Sequence, residues 1–135
     1  MVKHIVMWNV RGEDAATRAR NLALLQTAFE SLRGCVPGLL HLEVGVDQSR
    51  IDYACDVVLY TEFDSREALA AYAQHPEHLR VRRTLGDLRS ERHQVDYEVE
   101  NEFAAMHREQ QPPMPAGATA GQSEIGDKNH VQTLR

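Results

Sequence analysis

The chain has 135 residues, with 15 Lys and Arg against 20 Asp and Glu and a formal net charge of −5. That length holds one ordinary domain with a core, and an acidic balance without a uniformly basic face argues against nucleic acid as a partner. The two cysteines, Cys35 and Cys55, are too few and too far apart for a disulfide framework or a zinc site. They read as buried, small apolar residues in a reducing cytosol. The opening "MVKHIVMWNVRGED" has too short an apolar run for a secretory signal, and no stretch approaches the roughly 20 apolar residues of a membrane span. The expectation is a soluble, cytoplasmic protein with no membrane partner.

Val2–Val10, "VKHIVMWNV", is rich in β-branched residues and predicts a strand. Alternation puts Val2, His4, Val6 and Trp8 on one face and Ile5 with Met7 on the other, so both faces ask for cover. Asp14–Arg33 predicts a helix, with Leu22, Leu25, Phe29 and Leu32 at i, i+3, i+7 and i+10. Gly34 suits the position after its end, and Pro37-Gly38 a turn. Leu39–Val46, "LLHLEVGV", alternates, sending Leu40, Leu42, Val44 and Val46 one way and His41, Glu43 and Gly45 the other. "DQSRID" reads as a loop and "YACDVVLYTEF", Tyr53–Phe63, as a long strand. A second helix follows, with Asp64 as N-cap, Glu67 completing a capping box, and Ala68, Leu69 and Tyr72 on one side. Pro76 starts a third helix running to about Ser90, and "RHQVDYEV", Arg92–Val99, closes the domain as an alternating strand.

Beyond Glu100 the composition turns to Pro, Gly, Ala and Gln. Such a segment cannot bury enough apolar surface to offset its ordering entropy. The reading is a domain over residues 1–100 and a flexible, low-complexity tail over 101–135, in which "NEFAAMHRE" suits a short helix. The element order βαββααβ is α+β and ferredoxin-like, a split βαβ with one extra helix. Helices in that fold cover one face of the sheet. Strands β-branched and apolar on both faces then need cover on the second face, which a second copy supplies across a two-fold axis, forming a dimeric α+β barrel.

"YAQHPEHLRV", Tyr72–Val81, holds the strongest candidates for chemistry. With a helix starting at Pro76, His78, Val81, Leu85 and Leu88 share an inward stripe. The helix dipole and partial burial both disfavour a charged His78, leaving the neutral imidazole that a general base requires. Tyr72 belongs to the preceding helix and meets His78 only through the reversal at His75-Pro76; its hydroxyl is then placed to orient His78 or to donate to an enolate oxygen. The same two side chains also fit a plain core role. His75 reads as an exposed capping or loop residue. His75 and His78 alone do not complete a metal site, and Glu77 points elsewhere, so no metal and no other cofactor is assigned. His4 and Asp56, if they share a face, make a second acid–base centre in which the carboxylate fixes the imidazole tautomer; a capping role for Asp56 is the alternative. Trp8 suits barrel packing or the floor of an aromatic pocket. Arg80, Arg82, Arg83, Arg89 and Arg92 read as a solvated face with Asp87 and Glu91, with docking of an anion or a thioester carrier as the alternative. There is no Gly-rich phosphate loop and no nucleophile elbow.

"VKHIVMW", "VPGLLHLEVG", "YACDVVLYTEFDSREALAAYAQHPEH" and "VDYEV", in that order over residues 1–99, resemble the stress-responsive dimeric A/B barrel (Dabb) family. The resemblance implies the ferredoxin-like fold and the homodimer. The best-understood enzymes of that family are plant polyketide cyclases, which close a linear poly-β-keto chain by a metal-free intramolecular aldol condensation. Their catalytic Tyr and His correspond to Tyr72 and His78, and a first-strand histidine like His4 lines the same cavity. The resemblance therefore implies an internal pocket for a small apolar carbonyl compound lined by His4, and the reading of the residues adds Asp56, Trp8 and His75 as candidate pocket residues. Its function is then either a cofactor-independent cyclase or lyase with His78 as base and Tyr72 as partner, or a non-enzymatic small-molecule-binding or structural dimer. A cofactor-free oxygenase is a third reading, because related barrels host that chemistry.

Overall fold

In the computed structural model, which describes residues 1–100, the strongest sequence pattern becomes the centre of the sheet. Strand β1 (Val2–Val10) is followed by helix α1 (Ala15–Glu30), strands β2 (Leu39–Val46) and β3 (Val57–Phe63), helices α2 (Arg66–Gln74) and α3 (Pro76–Leu85), and strand β4 (Arg89–Glu98). The strands pair antiparallel in the order β2-β3-β1-β4, so β1 lies between β3 and β4. This is the ferredoxin-like α+β fold. The tail and short helix expected from residue 101 onwards lie outside the described residues, among which no helix is long and apolar enough to cross a membrane.

Alternation fixes the two sides of the sheet. Val2, His4, Val6, Trp8 and Val10 of β1, with Val57, Leu59, Thr61 and Phe63 of β3, are buried beneath the helices. Leu25 and Phe29 of α1, Leu69 and Tyr72 of α2, and Val81 and Leu85 of α3 complete that core. Trp8 stacks on Phe29 with ring centroids 5.5 Å apart, and each large side chain so buried contributes about 1.5–3 kcal/mol. On the opposite side, β1 pairs Ile5 with Tyr60 and Val95, Met7 with Val58, and Lys3 with Tyr97. Met7, Val95 and Tyr97 are respectively 37%, 49% and 43% exposed there, an apolar stripe across β1 and β4 that none of the described helices covers.

Several boundaries differ from those expected. Asp14 caps α1, its carboxylate accepting from Thr17 N at 2.7 Å, but the helix stops at Glu30 before a turn ending in Gly34 at φ 76°. Ser65, not Asp64, caps α2: its Oγ accepts from Ala68 N at 3.1 Å. The third strand starts at Val57 rather than Tyr53. The preceding loop is tied by Asp47, which accepts from Ser49 and Arg50, and Tyr53 is 87% exposed. In β2 a bulge sets Leu39 opposite Phe63 and His41 opposite Glu62, which expels Leu40 to 57% exposure; Leu42 is the first residue of the expected inward set to be buried. Cys35 is exposed and Cys55 half-buried, both as free thiols, so neither is the buried apolar residue expected.

The last helix ends at Leu85, followed by Gly86 at φ 52°, and the chain re-enters the sheet at Arg89. Leu88 is therefore outside the helical stripe. Within β4, Met7 pairs with His93 but Asn9 pairs with Ser90, so Glu91 and Arg92 together oppose Trp8. This is a β-bulge, with Glu91 at φ 51°. A left-handed non-glycine residue costs on the order of 1–3 kcal/mol, and Asn9 Nδ2 holds this one by donating to Glu91 Oε2 at 2.7 Å. Strict alternation from Asp96 would turn Arg89 away from the helices. The extra residue reverses that parity, and Arg89 pairs with Val10 on the helix side.

Candidate functional site

Between the helix side of the sheet and helices α2 and α3 lies a cavity of about 460 Å³. Val6, Trp8, Phe29 and Leu59 supply its apolar wall, and His4, Tyr72 and His78 are among its polar groups. Four of the residues singled out in the sequence, His4, Trp8, Tyr72 and His78, thus converge on one space.

Tyr72 is 4% exposed, packed against Phe63 and with its ring centroid 4.3 Å from that of His78. Its hydroxyl has no hydrogen-bond partner among the described residues. Burial pushes its pKa far up, so the phenol keeps its proton. A buried hydroxyl left unpaired costs about 1–3 kcal/mol, which makes it a group that awaits an acceptor.

His78, in the first turn of α3, is half-buried, with Nδ1 3.2 Å from the carbonyl oxygen of Ala73. A carbonyl only accepts, so Nδ1 carries the proton and Nε2 the lone pair. Burial pulls the His78 pKa down to about 4, with smaller lowering by Arg82, His4 and Arg89 against the opposing Ala73 bond. The imidazole is neutral at pH 7.

His4 is 6% exposed at the middle of β1. Its Nδ1 is 2.6 Å from Asp96 Oδ1, so the carboxylate fixes the tautomer and leaves Nε2 as the ring nitrogen for a ligand. Asp96 Oδ2 accepts from Gln94 Nε2 at 3.0 Å, and Gln94 Oε1 accepts from Arg92 Nε at 3.1 Å. The expected partner, Asp56, is elsewhere. Antiparallel pairing sets His4 opposite Thr61 and Asp96, whereas Asp56 precedes β3 at the far end of β1. There it accepts from Val10 N at 2.8 Å and Arg50 at 3.2 Å, the capping alternative.

His75 also falls outside the cavity. It caps α3, Nδ1 accepting from Glu77 N at 3.1 Å, and is half-buried rather than exposed because that bond ties the ring to its own helix. The arginines divide. Arg80 pairs with Glu77 at 2.6 Å and Arg83 lies outside the cavity, but Arg82, Arg89 and Arg92 line it. Arg89 sets its guanidinium 4.9 Å over the Trp8 ring and 5.7 Å from that of Phe29. Arg82 and Arg92 are exposed, as a solvated face requires, but Arg89 is half-buried against Trp8, and Glu91 bonds Asn9 rather than an arginine of the face. Asp96 had a sequence signal, since β4 neighbours β1 in this fold and Asp96 alternates with Gln94; Arg89 had none, because the bulge carries no glycine.

Among the described residues, no group of three His, Cys, Asp or Glu is gathered as metal ligands would be. The arrangement is suited to a carbonyl compound: a protonated phenol to hold its oxygen, the neutral imidazole of His78 to accept a proton, and an apolar floor beneath its carbon skeleton.

The family model described as the stress responsive A/B barrel domain (Dabb) matches residues 2–99. A dimeric ferredoxin-like protein from Bacteroides fragilis NCTC 9343 is 29% identical, with a TM-score of 0.65 over 73% of this chain and 95% of its own. A dimeric ferredoxin-like protein from Jannaschia sp. CCS1 is 25% identical, with a TM-score of 0.59 over 73% of this chain and 98% of its own. The hydroxynitrile lyase from Passiflora edulis is 13% identical, with a TM-score of 0.62 over 76% of this chain and 95% of its own, a likeness of fold alone. No curated protein sequence matches the chain.

Proposed function

The chain belongs to the stress-responsive A/B barrel domain family, and from that premise we propose that it forms a homodimer whose protomers each bind a small, partly apolar carbonyl compound in the cavity under α2 and α3. The reaction proposed there is a cofactor-independent aldol or lyase-type step, with His78 as general base and Tyr72 as donor to the developing oxyanion. Pairing is supported by the apolar stripe of Met7, Val95 and Tyr97, which a second sheet would cover, and by the two dimeric relatives.

The observation that carries the site is the unpartnered hydroxyl of Tyr72. A substrate carbonyl oxygen supplies the acceptor it lacks, and the bond strengthens as that oxygen gains charge. His78 Nε2 takes the proton from the carbon between two carbonyls, the enolate carbon attacks a distant ketone, and protonated His78 returns the proton to the new alkoxide. His4, oriented by Asp96, accepts a hydrogen bond from an enol or hydroxyl of the substrate.

A second reading, binding without turnover, is favoured by one observation. An imidazole whose pKa is about 4 is a weak base, and the first reading needs a strongly acidified C–H. The test is turnover of a panel of poly-β-keto thioesters by the wild type, His78→Phe and Tyr72→Phe. The catalytic reading expects a loss of about 10²–10⁴-fold in His78→Phe. Turnover unchanged by that substitution removes His78 as base, and saturable binding without wild-type turnover leaves the binding dimer.

A further inference from the structure

We propose that the compound taken by this cavity is an anion, an oxo acid with an apolar or aromatic body, its carboxylate held by Arg89 with Arg82 and Arg92 on the same wall. The proposal deepens the reading above and rests on it for the cavity being a ligand site. Among the described residues, three arginines and no aspartate or glutamate line the cavity. Asp96, which also faces the helix side, is already engaged through both oxygens by His4 and Gln94. The cavity therefore presents net positive charge above an apolar floor of Val6, Trp8 and Leu59.

Arg89 is aimed rather than incidental. The bulge at Glu91 turns its side chain from the open side of the sheet to the cavity, at the expense of a left-handed glutamate. Its guanidinium carbon lies over Trp8 and Phe29, contacts that use its charge against the rings, while its planar fork of N–H donors matches a carboxylate in bidentate fashion. Burial, with smaller lowering by Arg92 and Arg82, brings the Arg89 pKa down to about 10, so it stays charged at neutral pH. Arg82 and Arg92, both exposed, set like charge beside the half-buried Arg89, and a bound anion relieves that repulsion. A purely structural stack would need one cation on one ring; it explains neither the two further arginines nor the strained residue that directs the first. The same anion would raise the basicity of His78, which the arginines depress.

Trp8 is the only tryptophan of the chain and forms part of the cavity wall, so its fluorescence reports occupancy directly. The full-length protein is titrated with phenylacetate and with its neutral isostere phenylacetamide, neither of which has a reactive ketone. The wild type is expected to bind phenylacetate roughly ten- to a hundredfold more tightly, the worth of a charge-assisted pair, with the preference shrinking as salt is added. R89Q should lose most of that preference while keeping its affinity for phenylacetamide. R82Q, on the exposed side of α3, should lose a smaller part without threatening the fold. Equal affinity for the two probes in the wild type, or a preference unchanged in both variants, overturns the anion proposal and leaves the ligand site standing. No response of Trp8 to either probe overturns the proposal together with the site on which it rests.

Discussion

His4 Nδ1 lies 2.6 Å from Asp96 Oδ1, a contact that joins positions 92 apart across β1 and β4. The two side chains are only 8% and 5% exposed, so each shields the other's polar atoms from an apolar surrounding. Removing either one strands its partner. His4→Ala and Asp96→Ala should each destabilise the protein by about 2–4 kcal/mol. The double variant should fall short of their sum by about 1 kcal/mol or more, as coupled groups do. Urea denaturation of the four proteins measures this, and strict additivity would show that the pair does not act as a unit.

Tyr72→Phe separates a binding group from a structural one. Because the hydroxyl is buried without a partner, its removal should leave stability unchanged or raise it by about 1 kcal/mol. Affinity for a carbonyl ligand should fall by about tenfold, the worth of one hydrogen bond. A thermal midpoint that drops by several degrees would mean that the hydroxyl is already satisfied in the folded protein.

His78 gives the fold an acid weakness. Its imidazole titrates near 6.5 in a free chain and near 4 when folded. Between those values the unfolded chain binds the additional proton, so stability falls as the pH is lowered through that window and is fully recovered above it. His78→Phe abolishes this contribution. Urea midpoints at about pH 7.5 and pH 5 should therefore differ less in the variant than in the wild type, and an equal difference in both would assign the acid sensitivity elsewhere.

The sheet's uncovered side predicts the assembly. Light scattering at micromolar concentration should find the wild type as a dimer. Met7→Lys with Val95→Lys puts two charges into the stripe opposite Val58 and Ile5, and should give a folded monomer. A wild type that scatters as one subunit would contradict the pairing.

Glu91 tests the bulge. Glu91→Gly accepts φ 51° without strain and should stay within about 1 kcal/mol of the wild type despite losing the bond to Asn9. Glu91→Val should lose about 1–3 kcal/mol, since a β-branched residue tolerates that backbone poorly. Chemical denaturation distinguishes the two, and equal losses would mean that the side-chain bond, not the backbone, sets the cost.

The fold was legible because β1 and β3 carry period-two apolar patterns on both sides, which only a covered central position explains. Tyr72 and His78 were legible as well, since the helix start at Pro76 sets the phase of His78 and the His75-Pro76 reversal returns it to Tyr72. Long-range pairing was not. Asp56 and Asp96 are both carboxylates near strands, and the ladder offset that selects Asp96 for His4 is a property of the assembled sheet. Asp64 and Ser65 were similarly close as caps, each a favoured residue three positions before an amide, and tertiary placement decided for Ser65. Arg89 escaped because Glu91 adopts a backbone that sequence usually announces with glycine or asparagine.

The first strand serves the chamber with its even-numbered residues and the helix-free side of the sheet with its odd ones. Trading one side chain for another therefore edits a single role at a time, but changing the strand's length by one unit would exchange the two roles wholesale. Inserting one amino acid between Lys3 and His4 would drive either the histidine and tryptophan outward or the isoleucine and methionine inward. Among the described residues, this ribbon should be the stretch where insertions and deletions are least survivable, even where point changes are readily accepted.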